Sequence, residues 1–292
     1  MIFHVVIPVF NRLPLTVRCL ESLLAQTDQG MDIVLIDDGS TDDTSEVIRK
    51  RFPDVQILYG NGTLWWTGAV NQGIRHVLSS AAPDDYVVLV NNDTCFKRDF
   101  IARCRTTATK LPESLVGSVV VDSTQGRIIA GGTKINWYTA KQRNLNSGKK
   151  IDEFPPGHVV TVSVLTGRGV MVPCKVYREV GLYDDRHFQQ CGDTELPRRA
   201  NLRNFPICVS YDLVTYSTDP NLELSQRRYR VEEFIDYFFD VRSQTRLKYR
   251  YWFAVNTSVN PFQGVCYFVF DLGRVITHFL LRVRLVDWTS NG

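Results

Sequence analysis

The sequence predicts an α/β fold in which helices flank a mostly parallel central sheet, followed by a helical appendage. In the first half, short apolar runs alternate with helical patterns, as in strand–helix–strand units joined by right-handed crossovers. From Arg230 onward the pattern is helical and rich in aromatic side chains. We therefore expect one domain at residues 1–220 and a helical region at residues 221–292, with the boundary near Asn221.

The elements of the first half follow from apolar spacing and helix-start signals. Pro14 suits the first turn of a helix, and Ser40 with Asp43 is typical of a capping pair. The pattern predicts strands at Phe3–Val9, Asp32–Asp37, Val55–Tyr59 and Tyr86–Val90. It also predicts three helices: one that begins at Pro14, a second that ends at Arg51 and a third at Thr67–Ser79.

The second half is less regular. The polar stretch Lys141–Lys150 predicts a loop. Apolar runs predict strands at Leu115–Asp122, Val159–Leu165, Gly169–Pro173 and Phe205–Tyr211, and a short helix at Lys175–Val180.

Composition narrows the class of protein. The 292 residues are 44% hydrophobic, enough for a sizeable core, and the net charge of +3 argues against strong nonspecific binding of nucleic acid. The seven cysteines lie scattered without a Cys-x-x-Cys pair, so neither a disulfide framework nor a zinc site is predicted. Met1 leads directly into a predicted strand, and no apolar run reaches the about 18 residues that span a bilayer. We expect a cytoplasmic protein.

A polar motif, Asn91–Thr94, follows the apolar and β-branched run Tyr86–Val90. Such a run is typical of a strand buried on both faces, and open α/β sheets bind ligands beyond the carboxyl ends of their strands. Asp93 there suits a hard cation, which in turn holds a diphosphate. The alternative is a strand that simply ends in turn-forming residues.

Two further motifs end the second and third predicted strands. Asp37 and Asp38, before Gly39, suit a nucleotide base or ribose, although the same residues are ordinary in a capped turn. The glycines of Gly60–Gly68 favour a backbone that approaches phosphate closely at a helix start. Adjacent Trp65 and Trp66 point apart, so one packs inward while the other faces a ligand, unless both are core. Asn71 follows on the same helix.

The stretch Gln190–Leu196 is the next acidic motif, and it contains Asp193 and Glu195. An acid at this position suits a general base toward an acceptor hydroxyl. The alternative is an acidic helix start that interacts with the helix dipole. His187 lies nearby, as a substrate contact or as a surface histidine. The sequence lacks Gly-x-Ser-x-Gly and phosphate-loop signatures, which argues against serine hydrolases and ATPases.

Taken in order, these motifs resemble the inverting glycosyltransferase family 2, with its Rossmann-like GT-A fold. The resemblance extends from Phe3 to Asp219, and Gly60–Ala69 is most similar to the rhamnosyltransferase branch, which builds bacterial surface polysaccharides from dTDP-L-rhamnose. The matching stretches are Val6–Arg12, Ile36–Asp42, Asn61–Asn71, Asn91–Thr94 and Gly192–Glu195 with Arg199.

The resemblance implies roles for individual residues. Asp193 matches the catalytic base, and Asp93 matches the last acid of the metal motif that holds Mn²⁺ or Mg²⁺. Asn91 replaces the first acid of that motif, Gly192 replaces the Glu before the base, and Val214–Asp219 lacks the histidine of many relatives. The implied donor contacts are Pro8, Phe10, Asn11, Arg12, Asp37, Asp38, Gly62, Trp65, Trp66, Asn71, Asn91 and Asn92. The implied acceptor contacts are Trp66, His187 and Glu195.

The resemblance implies a nucleotide-sugar donor, dTDP-rhamnose, and a saccharide or lipid-linked acceptor. An alternative is a non-catalytic GT-A module that binds nucleotide or glycan in an assembly complex. A nucleotidyltransferase is a third interpretation, but it needs a Gly-rich basic loop after the first strand, where Asn11–Pro14 stands.

The carboxyl-terminal region has its own pattern. Apolar residues from Val265 to Val283 recur at helical spacing, and basic residues such as Arg246 and Arg250 precede them. The helix either packs against the catalytic domain or a second copy in a homodimer, which the nearly all-round apolar surface favours, or lies in a membrane interface. A helix in the membrane interface predicts a peripheral position on the inner face of the cell membrane.

Overall fold

A computed structural model describes residues 1–217 and 229–283. Within this part, residues 1–135 and 142–217 form one compact unit, and residues 136–141 with 229–283 form a second. The predicted boundary near Asn221 lies outside the described residues.

The first half of unit one forms the predicted parallel sheet. Its elements are β1 (Phe3–Val9), α1 (Leu13–Leu24), β2 (Met31–Asp37), α2 (Thr44–Arg51), β3 (Gln56–Tyr59), α3 (Trp65–Leu78) and β4 (Tyr86–Leu89). The strand order is β3–β2–β1–β4, and each neighbouring pair is parallel. The predicted capping pair is wrong, because Asp43 precedes α2 without a side-chain cap and Ser40 Oγ accepts instead from the Asn11 N–H.

Beyond β4 the sheet becomes mixed. The elements that follow are β5 (Cys95–Phe96), α4 (Phe100–Lys110), β6 (Leu115–Asp122), β7 (Ile128–Ala130), β8 (Thr133–Ile135), β9 (Gln142–Asn144), β10 (Val159–Thr161), β11 (Val170–Pro173), α5 (Cys174–Val180), α6 (Glu195–Asn201) and β12 (Ile207–Ser217). β11 lies between β4 and β6 and runs antiparallel to both, whereas β6 and β12 are parallel. The expected loop at Lys141–Lys150 contains β9, which pairs with β8.

Alternation along the strands divides the core into two layers. Val5 and Ile7 of β1 pack on the α1, α2 and α4 side, whereas Val6 packs on the α3, α5 and α6 side. Both faces of the central strands are therefore covered by helices, which leaves the strand ends as the place for a site.

The second unit contains α7 (Phe234–Phe239), α8 (Leu247–Thr257) and α9 (Pro261–Arg282). Tyr237 and Phe238 of α7 form a small core with Val275 and Phe279 of α9. Among the described residues, the 22-residue α9 is the one helix that is long and apolar enough to cross a membrane by length and composition alone, with a mean hydropathy of 1.4 over an 18-residue window. The expectation that no segment reaches this length is therefore wrong.

Candidate active site

The carboxyl ends of β2, β1 and β4 bring three predicted motifs to one edge of the sheet. Val9 of β1 is in register with Asp37 of β2, and the N–H of Val90, directly after β4, donates to Val6 O of β1. Residues Pro8–Arg12, Asp37–Asp38 and Asn91–Asp93 therefore lie beside one another, where open α/β sheets bind ligands.

Asp37 and Asp38 hold the backbone of the loops at this edge. Asp37 Oδ1 accepts from the Ser40 N–H at 2.8 Å, and its Oδ2 accepts from the Ser45 hydroxyl. Asp38 Oδ1 accepts from the Gly62 N–H at 2.8 Å, and its Oδ2 accepts from the Trp65 N–H at 3.0 Å. Both carboxylates are buried and each of their oxygens accepts a hydrogen bond within the protein, so their contact with a nucleotide stays a prediction.

The loop after β1 has a strained backbone. Asn11 and Arg12 adopt positive φ values of 58° and 64°, which non-glycine residues rarely do. Asn11 Oδ1 accepts from the Thr41 N–H at 2.9 Å, which fixes the loop to the one after β2. The side chains of Phe10 and Arg12 are left largely exposed at the mouth of the site.

The Asp93 carboxylate has an oxygen without a hydrogen-bond partner among the described residues. Its Oδ1 is buried and has no hydrogen-bond partner within the described residues, and its Oδ2 lies 3.9 Å from Arg12 Nη1. The neighbouring Asn92 is buried and donates to Thr16 Oγ1 of α1. Asn92 therefore positions the motif against α1, and its contact with the donor stays a prediction.

Trp65 and Trp66 have different environments. Trp66 packs on the core, and its indole N–H donates to Asn91 Oδ1 at 3.0 Å. Its ring meets Tyr183 edge-on, with centroids 5.9 Å apart. Trp65 has a φ of 57° and is tied through its backbone to Asp38, with its side chain only partly buried. The expectation that Trp65 faces a ligand stays a prediction.

Asn71 has a task inside the protein. Its side chain is buried, donates to Tyr183 O at 2.8 Å and to Asp185 Oδ2 at 3.0 Å, and accepts from the Tyr183 N–H. Its amide therefore holds the segment around residue 183 against α3. The predicted donor contact is corrected to a positioning role.

Asp193 lies on a 3₁₀ turn, Gly192–Thr194, directly before α6. Its Oδ2 accepts from the Gly167 N–H at 3.0 Å. Burial raises the pKa of the Asp193 carboxyl above its ordinary value, and the Gly167 amide and the charge of Arg168 oppose that rise. A desolvated carboxylate of this kind is a stronger base than an exposed aspartate.

A chain of contacts links Asp193 to the metal motif. The indole N–H of Trp66 donates to Asn91, and the adjacent Cζ2 packs so closely on Gly167 that a Cβ there would lie 2.5 Å from the ring. Gly167 in turn donates to Asp193. The predicted base and the predicted diphosphate edge are therefore parts of one constellation.

Arg168 also belongs to this constellation, although no motif in the sequence predicted it. Its carbonyl accepts from the hydroxyls of Ser118 and Thr215, and the next residue, Gly169, donates to Leu89 O of β4. Its guanidinium has no hydrogen bond or ion pair within the described residues. A basic residue between two glycines was the available signal, because glycines allow a tight turn that brings the backbone close to neighbouring strands.

Two predicted acceptor contacts have different environments. His187 is partly buried, and its Nδ1 lies 2.7 Å from Asp184 Oδ2. Glu195 is fully buried and forms a two-point ion pair with Arg199, at 2.8 Å and 3.2 Å. Because that pair leaves Glu195 no surface for an acceptor, its predicted role is corrected to a structural one, whereas His187 stays a prediction.

The residues present fit a divalent cation in a limited way. Within residues 1–217 and 229–283 there is no group of three or more His, Cys, Asp or Glu arranged to hold a metal. Mg²⁺ is often bound by one or two carboxylates together with substrate phosphates. The buried, unpartnered oxygen of Asp93 suits that arrangement, in which the donor itself supplies further ligands.

Comparison with known proteins identifies the family. The family model described as glycosyl transferase family 2 matches residues 4–166, more than half of the chain. The chain belongs to glycosyl transferase family 2. This confirms the predicted resemblance, and the matched region includes every motif from β1 to Asp93.

Curated relatives match parts of this family 2 chain. N-acetylglucosaminyl-diphospho-decaprenol L-rhamnosyltransferase of Mycobacterium tuberculosis is 26% identical over 208 residues, which cover 62% of this chain and 64% of that protein. Glycosyltransferase GlyG of Streptococcus pneumoniae is 32% identical over 103 residues, which cover 34% of this chain and 33% of that protein. The matches thus span between a third and just under two thirds of these relatives.

Solved structures confirm the GT-A fold. Staphylococcus aureus TarS 1-349 has a TM-score of 0.60 at 16% identity, covering 98% of this chain and 76% of that one. The mannosyltransferase PcManGT of Pyrobaculum calidifontis, solved with GDP-Man and Mn²⁺, has a TM-score of 0.58 at 14% identity, covering 96% and 72%. At these identities the likeness is one of fold.

Proposed function

We propose that the chain is an inverting glycosyltransferase that moves L-rhamnose, or a similar 6-deoxy sugar, from a dTDP donor. The acceptor is a saccharide or lipid-linked saccharide in the synthesis of a bacterial surface polysaccharide. The name of the mycobacterial relative, which specifies an L-rhamnosyl group and a lipid-linked diphosphate acceptor, supports this sugar and acceptor class. Trp65 supports it as well, because a partly exposed indole ring suits the apolar methyl face of a 6-deoxy sugar.

The environment of Asp193 is the observation that carries the proposal. The Gly167 N–H donates to Oδ2 and holds the carboxylate in place, and this carboxylate takes the proton from the acceptor hydroxyl. The acceptor oxygen forms its bond to the anomeric carbon as the bond from that carbon to the diphosphate breaks. One displacement inverts the anomeric centre and releases the nucleoside diphosphate, so the chain needs no nucleophile of its own.

The negative charge of the leaving diphosphate would be stabilised near Asp93 and Arg12. Asp93 would hold Mn²⁺ or Mg²⁺, and the cation would neutralise the developing phosphate charge when bound. Arg12 lies 3.9 Å from Asp93 and is largely exposed, so its guanidinium is free to turn from the carboxylate to a donor phosphate. Trp66 keeps this side in register with Asp193 through its hydrogen bond to Asn91.

A donor panel tests the proposal. The purified chain is mixed with dTDP-rhamnose, UDP-GlcNAc, UDP-glucose or GDP-mannose, each with Mn²⁺, Mg²⁺ or EDTA. Thermal shift reports binding, and released nucleoside diphosphate reports slow donor hydrolysis. We expect dTDP-rhamnose with a divalent cation to give the largest stabilisation and the fastest hydrolysis.

The variant Asp93→Asn separates the metal from the donor pocket. We expect it to lose the difference between Mn²⁺ and EDTA, because the neutral amide is a poor cation ligand. Asp152→Asn, the same change on an exposed turn, should behave like the wild type. Binding of a donor without turnover under any metal and acceptor condition would favour the non-catalytic GT-A module. Binding of no donor would contradict the proposed donor site altogether.

A further inference from the structure

Helix α9 has an outer face that is apolar along its whole length. Seen down the axis, positions 262, 265, 269, 273, 276 and 280 share one side of the helix. They are occupied by Phe262, Val265, Val269, Gly273, Ile276 and Leu280, and the five side chains among them are between 38% and 70% exposed. None of these six residues is charged or can form a side-chain hydrogen bond. A helix surface left to water normally carries polar residues here.

The opposite face of α9 is held inside its own unit. Val275 and Phe279 pack on Tyr237 and Phe238 of α7. Asp271 is buried and forms ion pairs with Arg250 of α8 and with Arg274, both at 2.6 Å. These contacts fix the rotation of the helix, so the apolar face cannot turn inward without breaking a buried ion pair.

The described part of the second unit has an excess of positive charge, because residues 136–141 and 229–283 contain eight Lys and Arg against five Asp and Glu. From Leu247 to Arg282 the sequence contains Lys248, Arg250, Arg274 and Arg282 but a single acid, Asp271. Counting four positive charges and one negative charge, the α8–α9 segment carries +3. Asp271 is paired with Arg250 and Arg274 on the inner side of α9, and the segment as a whole keeps its positive net charge.

We propose that the outer face of α9 lies flat on the surface of an anionic phospholipid bilayer. An amphipathic helix in this position buries its apolar side chains at the boundary between headgroups and acyl chains, and nearby basic residues attract the anionic lipid. Tyr251 and Val255 of α8 are further exposed side chains of this unit, at a spacing of four residues.

A crossing arrangement of α9 fits the contacts less well. Asp271 stands near the middle of the helix and is tied to Arg250 on α8. A spanning α9 would therefore carry an ion pair and a second helix into the hydrocarbon, which is costly. A helix that lies flat keeps Asp271 and both arginines on the protein side.

A second copy of the chain is the other candidate occupant. Pairing of identical faces about a two-fold axis would bring two segments of +3 charge together. Anionic lipid instead offers an opposite charge to the same residues. Charge complementarity therefore favours the bilayer, and the state of association in solution separates the two.

Vesicle binding of the full chain tests the proposal. Sedimentation is compared for vesicles of pure phosphatidylcholine and for vesicles with 30 mol% phosphatidylglycerol, an amount on the order of anionic bacterial membranes. We expect binding to the anionic vesicles that weakens as salt is added. The double variant Val269→Gln, Ile276→Gln should bind about tenfold more weakly or worse, because two exposed apolar anchors are lost.

A matched variant at the same positions controls for structure. Val269→Leu, Ile276→Leu changes both side chains but keeps them apolar, and it should bind as the wild type does. Undiminished vesicle binding in the glutamine variant, or no binding of the wild type to any vesicle, would overturn the proposal. A dimer by light scattering that the glutamine variant converts to a monomer would overturn it as well. None of these results depends on donor binding, so they test the membrane proposal independently of the proposed glycosyl transfer.

Discussion

Adding one methyl group at Gly167 perturbs the contact that joins the two halves of the proposed site. A Cβ at this position would lie 2.5 Å from Trp66 Cζ2 and 3.2 Å from Trp66 Cη2. Gly167 is not among the glycines with positive φ, so alanine is allowed by the backbone and the clash is purely steric. Relief requires movement of either the Trp66 ring or the Gly167 backbone.

The required movement sets the size of the effect. An ordinary Cβ contact begins at 3.4 Å, and 3.4 − 2.5 gives a displacement of about 0.9 Å. Either the Trp66 indole, which is hydrogen-bonded to Asn91, or the Gly167 amide, which is hydrogen-bonded to Asp193, must move by this distance. Because a misplacement of about 1 Å can cost about 10²-fold in rate, we expect kcat to fall roughly a hundredfold in Gly167→Ala. Overpacking should also lower the free energy of unfolding by about 1–3 kcal/mol.

The assay is turnover of the best donor from the panel, measured together with urea unfolding. Gly273→Ala is the control, because it adds the same methyl where nothing lies within 4 Å, and its activity should match the wild type. A Gly167→Ala variant that retains full turnover would refute the reasoning that Trp66 and Gly167 keep the base in register with the diphosphate edge.

Two further substitutions probe charges around the site. Arg168→Ala should move the acid limb of kcat/KM to higher pH, because the Arg168 charge holds down the pKa of Asp193 and the base must lose its proton to act. An unchanged pH profile, or an equal shift in Arg143→Ala on exposed β9, would contradict this role. Glu195→Ala should lower the free energy of unfolding by about 3 kcal/mol, because it strands Arg199 beside a buried void. A urea midpoint equal to that of Glu179→Ala, an exposed control, would show that the ion pair is not structural.

Apolar patterning predicts much of the fold. The bounds of β1 and β6 agree with the prediction to the residue, because long apolar runs there end in polar or turn residues. α4 was not predicted, although Phe100, Ile101, Cys104 and Ala108 recur at helical spacing, because threonines and basic residues between them weaken the pattern. β5 has two residues and exists through its pairing with β12, which no local pattern records.

The site was predictable at the level of motifs but not of individual side chains. Strand ends show where polar groups gather, and this placed Asp93 and Asp38 at one edge. Whether a side chain there faces a ligand depends on partners far along the chain. The side chain of Asn71 is hydrogen-bonded to Tyr183, 112 positions away, and that of Asn92 to Thr16, 76 positions away. Only the folded structure brings these pairs together.

The measurement that tests the central claim most directly compares donor affinity and turnover in Asp193→Asn. The amide keeps the size of the side chain but cannot take a proton from the acceptor hydroxyl. We expect kcat to fall about 10²-fold or more while the donor Kd stays within about twofold of the wild type, with Asp152→Asn unchanged in both. Wild-type turnover in Asp193→Asn would contradict the assignment of Asp193 as the base of an inverting transfer.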